Sequence, residues 1–469
     1  MKKFLTLLLA FSLIGSSLIL TGCSEEEEDL SSKIDEKVTA YQTDLQDSAE
    51  TLTSTEAIRD YLCSWAKAKG IDYTTDGYNN VIMSVKAGKA YKKADPTVII
   101  CSYDPVRFKT SIDPVACALY LVKNNENTGK LTVIFTAEEG HDFSGIKKIN
   151  SKYFTDQTNV FCLGSGSGNM WSAATGAKSV YRFTSPTAYT APSKDAAYRI
   201  RIKGLPGGVP DAKISSYPNP VKEIGDLLAY FKTNALIYEL ANVKGGSNAA
   251  TYPKSAQATV VIDEDDFDKF EARMQTAIEN FNEDYLENYP EVTYTYEEVP
   301  LPDRVMTEES LNQTVSLLYT LIDGVYFRDE EENLISLSSI GSVKTADTGL
   351  VILASADSLT ELSLTEIDKQ YQIICGLADT SYKKTASQKG WTSDPDSEFI
   401  KEVSDAFNQY SGKDMELKDC VPAANTTYIY EKNPKCNIIN VSVNEDRLER
   451  YTGTILTFMM NQEHEEIES

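Results

Sequence analysis

Short apolar segments alternate with helical segments in the first third of this chain, and no other feature constrains its fold as strongly. Three apolar runs of strand length occupy residues 97–101, 131–135 and 159–163. Sequence of helical character lies between them, as in β-α-β units whose strands run parallel. The sequence therefore predicts an α/β domain with a central, mostly parallel sheet.

Two helices can be placed beside these strands from local signals. One is expected at residues 54–69, where the apolar Ile58 and Leu62 lie one helical turn apart. Another is expected to begin at Asp113-Pro114, because Asp is a favoured N-cap and Pro fits the first helical position.

The character of the sequence changes near residue 198 and changes back near residue 388. Long amphipathic helices and strand-rich stretches lie between these points, and the α/β pattern then returns. The simplest organisation is an α/β domain formed by residues 51–197 and 388–462. An inserted α+β, lid-like domain of residues 198–387 interrupts it, and residues 463–469 form a polar tail.

The beginning of the chain has the pattern of an export signal. Met1-Lys2-Lys3 precedes an apolar run over residues 4–20, which ends in Leu20-Thr21-Gly22-Cys23. A basic head before an apolar core is typical of a secretory signal. Its end resembles a lipobox, in which lipid joins the cysteine thiol and the chain is cut just before it. We therefore expect a signal peptide at residues 1–22 and lipid on Cys23. A plain membrane-spanning anchor is the alternative.

An acidic block follows Cys23. Residues 25–29 are four glutamates and an aspartate, and such a charge run does not fold on itself. We expect residues 23–50 to be a lipidated acidic tether that leads into the first helix. The protein would then be held by the lipid bilayer at the cell membrane or cell surface, outside the cytoplasm.

The net charge limits the classes of partner, and the cysteine and histidine counts limit the kinds of metal or disulfide site. The formal net charge of −25 repels nucleic acid and anionic lipid and excludes both as partners. The eight cysteines, Cys23 among them, lack CxxC spacing, which argues against a zinc ribbon or a disulfide scaffold. Whether Cys420 pairs with Cys436 stays open. The chain has two histidines, His141 and His464.

Motifs spread along the chain carry a second resemblance. They are Ser102-Tyr103-Asp104, Asp113-Pro114, Thr136-Ala137-Glu138-Glu139-Gly140, Leu163-Gly164-Ser165 and Ser442-Val443-Asn444-Glu445-Asp446-Arg447-Leu448. Two glycine-containing motifs, residues 204–210 and 245–253, lie in the insertion. Their order and spacing resemble those of zinc-dependent dipeptidases of the aminoacyl-histidine dipeptidase (carnosinase-like) type, in the clan of aminoacylases and carboxypeptidase-G-like peptidases.

The resemblance implies a metal site from which this chain departs. In the family five ligands hold two zinc ions, and matching residues remain here at Asp113 and Glu139. Ser102, Gly164 and Ser442 stand where the family has histidine, aspartate and histidine. Each zinc ion needs about three protein ligands, and neither serine nor glycine replaces imidazole or carboxylate. The resemblance thus implies zinc in the family, whereas no cofactor is expected here.

The family residues that handle protons are retained. Glu138 matches the general base, and Asp104 matches the carboxylate that orients a metal-bound histidine. A glutamate base without a metal-activated water attacks amides very slowly. We therefore predict no measurable dipeptidase activity from Glu138 and Asp104.

Other interpretations of the same residues remain open. N-capping alone explains Asp113, and Glu138 and Glu139 after a strand could be ordinary solvated carboxylates. The clustered acids could instead hold a hard cation such as calcium through oxygen ligands. His141, just beyond the glutamate pair, could supply a substitute ligand.

The leading hypothesis is a membrane-tethered, non-catalytic relative of these dipeptidases that binds peptides or amino-acid derivatives in a cleft. An active hydrolase with an atypical metal site is the first alternative. A structural envelope protein is the second.

Overall fold

A computed structural model describes residues 30–462 except 126, 140–141, 166–169, 211–215 and 347–348. Outside the described residues lie the expected signal 1–22, the tail 463–469, Cys23, His141 and His464. Lipid on Cys23 and metal binding by His141 therefore stay predictions.

Strands and helices alternate along most of the described chain. The strands are β1 (Asp72–Thr75), β2 (Val81–Val85), β3 (Thr97–Tyr103), β4 (Leu131–Ala137), β5 (Asn159–Ser165), β6 (Met170–Ser172), β7 (Ala174–Thr175), β8 (Ala177–Ser185), β9 (Tyr189–Thr190), β10 (Ala196–Lys203), β11 (Glu239–Gly246), β12 (Ser255–Ile262), β13 (Thr293–Val299), β14 (Val305–Met306), β15 (Gly324–Arg328), β16 (Leu334–Ala346), β17 (Gly349–Ser358), β18 (Ser381–Gln388), β19 (Trp391–Thr392) and β20 (Asn437–Val443). The helices are α1 (Leu30–Ser48), α2 (Thr55–Lys69), α3 (Phe108–Lys123), α4 (Ser144–Lys148), α5 (Pro220–Thr233), α6 (Phe267–Tyr285), α7 (Glu308–Thr320), α8 (Glu361–Leu377), α9 (Glu398–Ser411), α10 (Thr426–Lys432) and α11 (Leu448–Asn461).

The first sheet has seven strands in the order β1-β2-β4-β3-β5-β20-β6, and the four central strands β4, β3, β5 and β20 are parallel. Helices α3, α9 and α11 share the larger apolar core on one face. Helices α4 and α10 share a smaller core on the other. The three strands expected from the apolar runs are β3, β4 and β5, so the predicted α/β domain is confirmed.

The second sheet has nine strands and is antiparallel, in the order β13-β10-β12-β11-β16-β17-β8-β18 with β15 beside β16. Helices α5 to α8 pack against one of its faces and form a separate apolar core. This sheet is built almost wholly from residues between β6 and β19. The predicted α+β insertion is therefore confirmed as an architecture.

The insertion starts earlier along the chain than the sequence analysis placed it. Strand β8 was assigned to the α/β segment 51–197, whereas it pairs with β17 and β18 in the second sheet. The local pattern of β8 identifies a strand but not its partners, because pairing depends on residues almost two hundred positions away.

Residues 30–48 are not a tether. They form helix α1, whose Ile34, Val38 and Leu45 are fully buried against α3 and α11. These apolar residues recur at positions 34, 38 and 45, which is the spacing of one helical face. The acidic block before residue 30 concealed that pattern, so the expected tether 23–50 is corrected to residues 23–29 at most.

Two further findings bear on anchoring and cross-linking. Within the described ranges, no helix combines the length and the apolar character that crossing a bilayer requires. No disulfide joins Cys420 to Cys436, and Cys420 is buried whereas Cys436 is partly exposed.

We predict that Ile34→Ala lowers the free energy of unfolding by about 2–5 kcal/mol, because it removes a fully buried side chain from between three helices. Lys37→Ala, an exposed position on the same helix, should change it by less than about 0.5 kcal/mol. Denaturant titration followed by circular dichroism measures both. Equal, small effects of the two substitutions would show that α1 does not pack on the domain.

Candidate functional site

The carboxyl ends of the central strands bring three of the sequence-predicted positions into one row. Ser102 at the end of β3 is paired with Thr136 of β4, and Gly164 of β5 is paired with Ser442 of β20. Strands β3 and β5 are themselves neighbours and pair up to Cys101 and Leu163, the residues just before Ser102 and Gly164. Open α/β sheets place their sites at this edge.

Ser102 is the centre of a hydrogen-bond network. Its hydroxyl donates to Glu138 Oε1 at 2.8 Å and accepts from Asn425 Nδ2 at 2.6 Å. The hydroxyl of Thr136 lies 2.9 Å away and acts as donor, since the single Ser102 proton is directed to Glu138. A serine at this position therefore binds neighbouring side chains rather than a metal ion.

Glu138 is buried, with 2% of its surface exposed. Loss of solvation raises the pKa of its carboxyl to about 8, although the Ser102 hydrogen bond acts in the opposite direction. Asp142 and Asp104 raise this pKa further, and Arg107 lowers it. Glu138 is thus largely protonated at neutral pH, where a general base must be ionised.

Asp104 is buried and is bound within its own turn. Its Oδ1 accepts from the backbone N–H of Val106 at 3.0 Å. Its Oδ2 lies 3.2 Å from both Nε and Nη2 of Arg107, whose side chain is also largely buried. The carboxylate that orients a metal-bound histidine in the family is here neutralised by a local arginine.

Asp113 does not begin a helix, contrary to the sequence prediction. Helix α3 begins at Phe108, so Asp113 and Pro114 lie in its second turn. Asp113 Oδ1 accepts a hydrogen bond from Gln42 Nε2 of α1 at 2.9 Å. The local N-cap signal was misleading because apolar residues upstream, Phe108 and Ile112, are buried and extend the helix despite the proline.

The remaining positions that match the family's metal ligands are Glu139, Gly164 and Ser442. The side chain of Glu139 is exposed to solvent, and its backbone N–H donates to Asp142 Oδ1 at 3.3 Å. Gly164 faces open space, since a Cβ atom built there meets nothing within 4 Å. Ser442 is buried beside it. The position at Gly164 has room for the family's carboxylate but carries no donor.

These residues do not fit a pair of zinc ions. Each retained acid has a different environment. Asp104 binds an arginine, and Asp113 binds a glutamine. Glu138 accepts from a serine, and Glu139 is exposed to solvent. Over the ranges that the structure describes, no three His, Cys, Asp or Glu side chains are grouped so that they could hold a metal ion. The same finding weighs against a calcium site formed by the four acids.

Residues 420–427 connect this network to the second sheet, and the sequence analysis missed them. The N–H of Ala423 donates to Asp357 Oδ1 at 3.1 Å, and Gln388 Nε2 donates to the carbonyl of Ala424 at 2.8 Å. Asp357 forms a buried ion pair at 3.5 Å with Lys178. Lys178 in β8 and Asp357 in β17 were the available signal, because a charge within a buried strand requires a partner.

The two insertion motifs also meet. Gly208 and Tyr252 form an antiparallel bridge in which the Tyr252 N–H donates to the Gly208 carbonyl at 2.7 Å. Tyr252 in turn packs with Leu337 of β16 and Val421 of the α/β domain. This apolar contact joins the two domains beside the row of strand ends.

Two of the cavities in the described parts of the insertion lie away from Ser102. One of about 540 Å³ is lined by Tyr189, Asn242, Asp303 and Arg304 among others. The second, of about 510 Å³, is lined by residues from β9, β11 and α7.

Comparison with solved structures finds similarity to dipeptidases, and one of those named here has a TM-score above 0.5. The aminoacylhistidine dipeptidase from Vibrio alginolyticus is 16% identical, with 90% of this chain and 97% of that chain covered and a TM-score of 0.58. Human carnosine dipeptidase 1 is 9% identical, with a TM-score of 0.47 over 92% of this chain and 98% of its own. The dipeptidase Dug1p from Saccharomyces cerevisiae is 10% identical, with a TM-score of 0.46 over 92% and 98%.

The likeness to the Vibrio enzyme confirms that this chain has a dipeptidase-like fold, as the motif order predicted. At 16% identity it establishes the fold and not the activity. No protein-family model and no curated protein sequence matches the chain.

We predict that Glu138→Gln abolishes one component of the pH dependence of stability. The folded-state pKa of about 8 lies above the ordinary glutamate value of 4.5, so between these values the folded state binds the extra proton and stability falls as pH rises. The maximal slope for one group is about 1.4 kcal/mol per pH unit. Glutamine keeps the shape and cannot ionise.

Denaturant titrations at pH 5 and pH 8.5 measure this component. The variant should gain stability relative to the unmodified protein as pH rises, and Glu139→Gln, an exposed neighbour, should not. Parallel pH profiles for the Glu138 variant and the unmodified protein would contradict the buried, protonated state.

Proposed function

We propose that this protein is a membrane-tethered, non-catalytic relative of aminoacyl-histidine dipeptidases that binds peptides or amino-acid derivatives between its two domains. The observation that carries the proposal is the hydrogen bond from Ser102 to Glu138. Ser102 stands where the family has a metal-binding histidine, and Glu138 matches the family's general base. The hydrogen bond therefore engages the general base with a residue that replaces a metal ligand.

The remaining ligand positions support the same conclusion. Co-catalytic zinc ions need imidazole and carboxylate donors around a shared water. Gly164 supplies no donor, and Ser442 supplies a neutral hydroxyl. Asp113 accepts from Gln42 of α1. Hydrolysis through a metal-activated water has no support from this set of residues.

The proposal of ligand binding is based on the arrangement of the two domains around the strand ends. The fold retains two domains, and the row of strand ends lies beside the segment where they meet. The carboxyl group of Glu138, the side-chain amide of Asn425 and the open space at Gly164 lie at this edge. They offer hydrogen bonds to amide and carboxyl groups of a peptide, which binding without cleavage requires.

We predict that the purified mature protein binds far less than one zinc ion per chain and does not hydrolyse aminoacyl-histidine dipeptides. Zinc is measured by metal analysis after dialysis, and turnover by release of histidine. Glu138→Gln is the matched control. Zinc-dependent turnover that the variant abolishes would establish an active hydrolase with an atypical metal site; turnover unaffected by it indicates contamination.

Binding is tested by calorimetry with an aminoacyl-histidine dipeptide as probe. Heat of binding that is lost in Gly164→Leu, which fills the open space at this edge, supports the proposed location. Binding that persists unchanged in this variant would place the ligand elsewhere.

We predict that Cys23→Ala leaves the protein either unprocessed or released from the membrane fraction, because the thiol that would carry lipid is absent. Mass analysis of the N-terminal peptide and membrane fractionation measure both outcomes. A processed Cys23→Ala protein that stays fully membrane-bound would rule out lipid anchoring.

A further inference from the structure

Helix α1 is a rigid part of the α/β domain although it begins only a few residues after the expected lipid site. Its Ile34, Val38 and Leu45 are fully buried against α3 and α11. A helix fixed along its whole buried face cannot act as a flexible spacer, so its first residue Leu30 has a fixed place on the surface.

Two side-chain hydrogen bonds fasten α1 at separate points. Near its start, Ser31 Oγ donates to Glu449 of α11 at 2.8 Å. In its second half, Gln42 Nε2 donates to Asp113 of α3 at 2.9 Å. Gln42 is itself buried, and an unpaired buried amide would cost about 1–3 kcal/mol, so this contact favours the docked helix.

The length of chain outside the structure sets the distance to the bilayer. Residues 24–29 separate Cys23 from Leu30, so seven Cα–Cα steps span at most about 25 Å. A compact body of the described size is roughly 55 Å across. The connector is therefore shorter than the body, and only the side that carries the start of α1 can lie against the membrane.

We propose that the face formed by the starts of α1 and α11 lies against the outer surface of the anchoring bilayer, and that Asp113 holds this orientation by fixing α1. The proposal rests on the proposed lipidation of Cys23. Its partner is the bilayer surface itself rather than a particular headgroup, because the attachment is covalent and the contact follows from chain length.

The orientation has a consequence for the candidate site. Helix α11 follows directly on β20, and Glu449 lies seven residues after Ser442. The membrane-facing side therefore borders the carboxyl edge of the first sheet. A peptide that reaches this site does so close to the membrane surface.

The test uses the lipidated full chain in vesicles that contain an energy-transfer acceptor on a lipid headgroup. A donor dye is placed at Asp446→Cys, on the proposed face, or at Glu297→Cys, on the outermost strand β13 of the second sheet. Cys63 and Cys436, the partly exposed native thiols, are first replaced by serine. We expect at least twofold higher transfer efficiency from position 446 than from position 297.

Two changes should lower transfer from position 446. The first inserts 30 glycine and serine residues between Asp29 and Leu30, which adds roughly 30 Å of reach. The second is Gln42→Glu, which sets a carboxylate against Asp113 and weakens the docking of α1. Asp113→Asn, which keeps the acceptor oxygen, is the matched control and should leave transfer unchanged.

Equal transfer from the two dye positions, or no response to the insertion, overturns the proposed orientation. An unchanged signal with Gln42→Glu overturns the role of Asp113. The mass of the N-terminal peptide separates these outcomes from failure of the proposed function, because an unlipidated chain fails before any transfer is measured.

Discussion

Residues 420–427 lie between the two sheets and bind to both, and the placement of the insertion depends on them. Asp357 of the second sheet accepts from the Ala423 N–H, and its charge is compensated by Lys178, buried with it. Burial raises the pKa of Asp357, and the lysine opposes this rise. Removal of one partner from such a pair leaves an uncompensated buried charge and costs about 3–5 kcal/mol.

The same segment reaches the candidate site two residues later. Asn425 donates to Ser102, which donates to Glu138. The second sheet, the connecting segment and the row of strand ends are thus linked by consecutive polar contacts. A change in the charge of Glu138 would alter the hydrogen bonds of a segment that also fixes the position of the insertion.

The four acids at the motif positions differ in the contacts that accommodate their charge. Asp104 has Arg107 as its partner, Asp113 has Gln42, burial raises the pKa of Glu138, and Glu139 is exposed to solvent. Two of these acids are coupled, because the charge of Asp104 also raises the pKa of Glu138.

Local sequence patterns predicted the elements whose formation depends on neighbouring residues. The three apolar runs correspond to β3, β4 and β5. The helix expected at residues 54–69 is α2, with Ser54 as its N-cap. Contacts between distant residues could not be read in this way. The pairing of Lys178 with Asp357 and the position of Asn425 depend on strands far apart in the chain.

Two errors had opposite causes. The predicted tether was too long because the charges before Leu30 obscured the apolar positions of α1. These positions are buried against α3 and α11, which lie much later in the chain. The helix was predicted to start at Asp113 because Asp followed by Pro is a strong local signal for a helix start. Burial of Phe108 in the core outweighed that signal and moved the helix start upstream.

Asp113 connects the candidate site to helix α1. It matches the family's bridging aspartate, lies in the second turn of α3 and accepts a hydrogen bond from Gln42 of α1. Restoring donors at Ser102, Gly164 and Ser442 would leave Asp113 hydrogen-bonded to Gln42. A carboxylate that accepts one hydrogen bond still has lone pairs for a cation, and such a bond fixes its orientation. The docking of α1 would therefore affect the direction in which Asp113 faces any cation at a restored site.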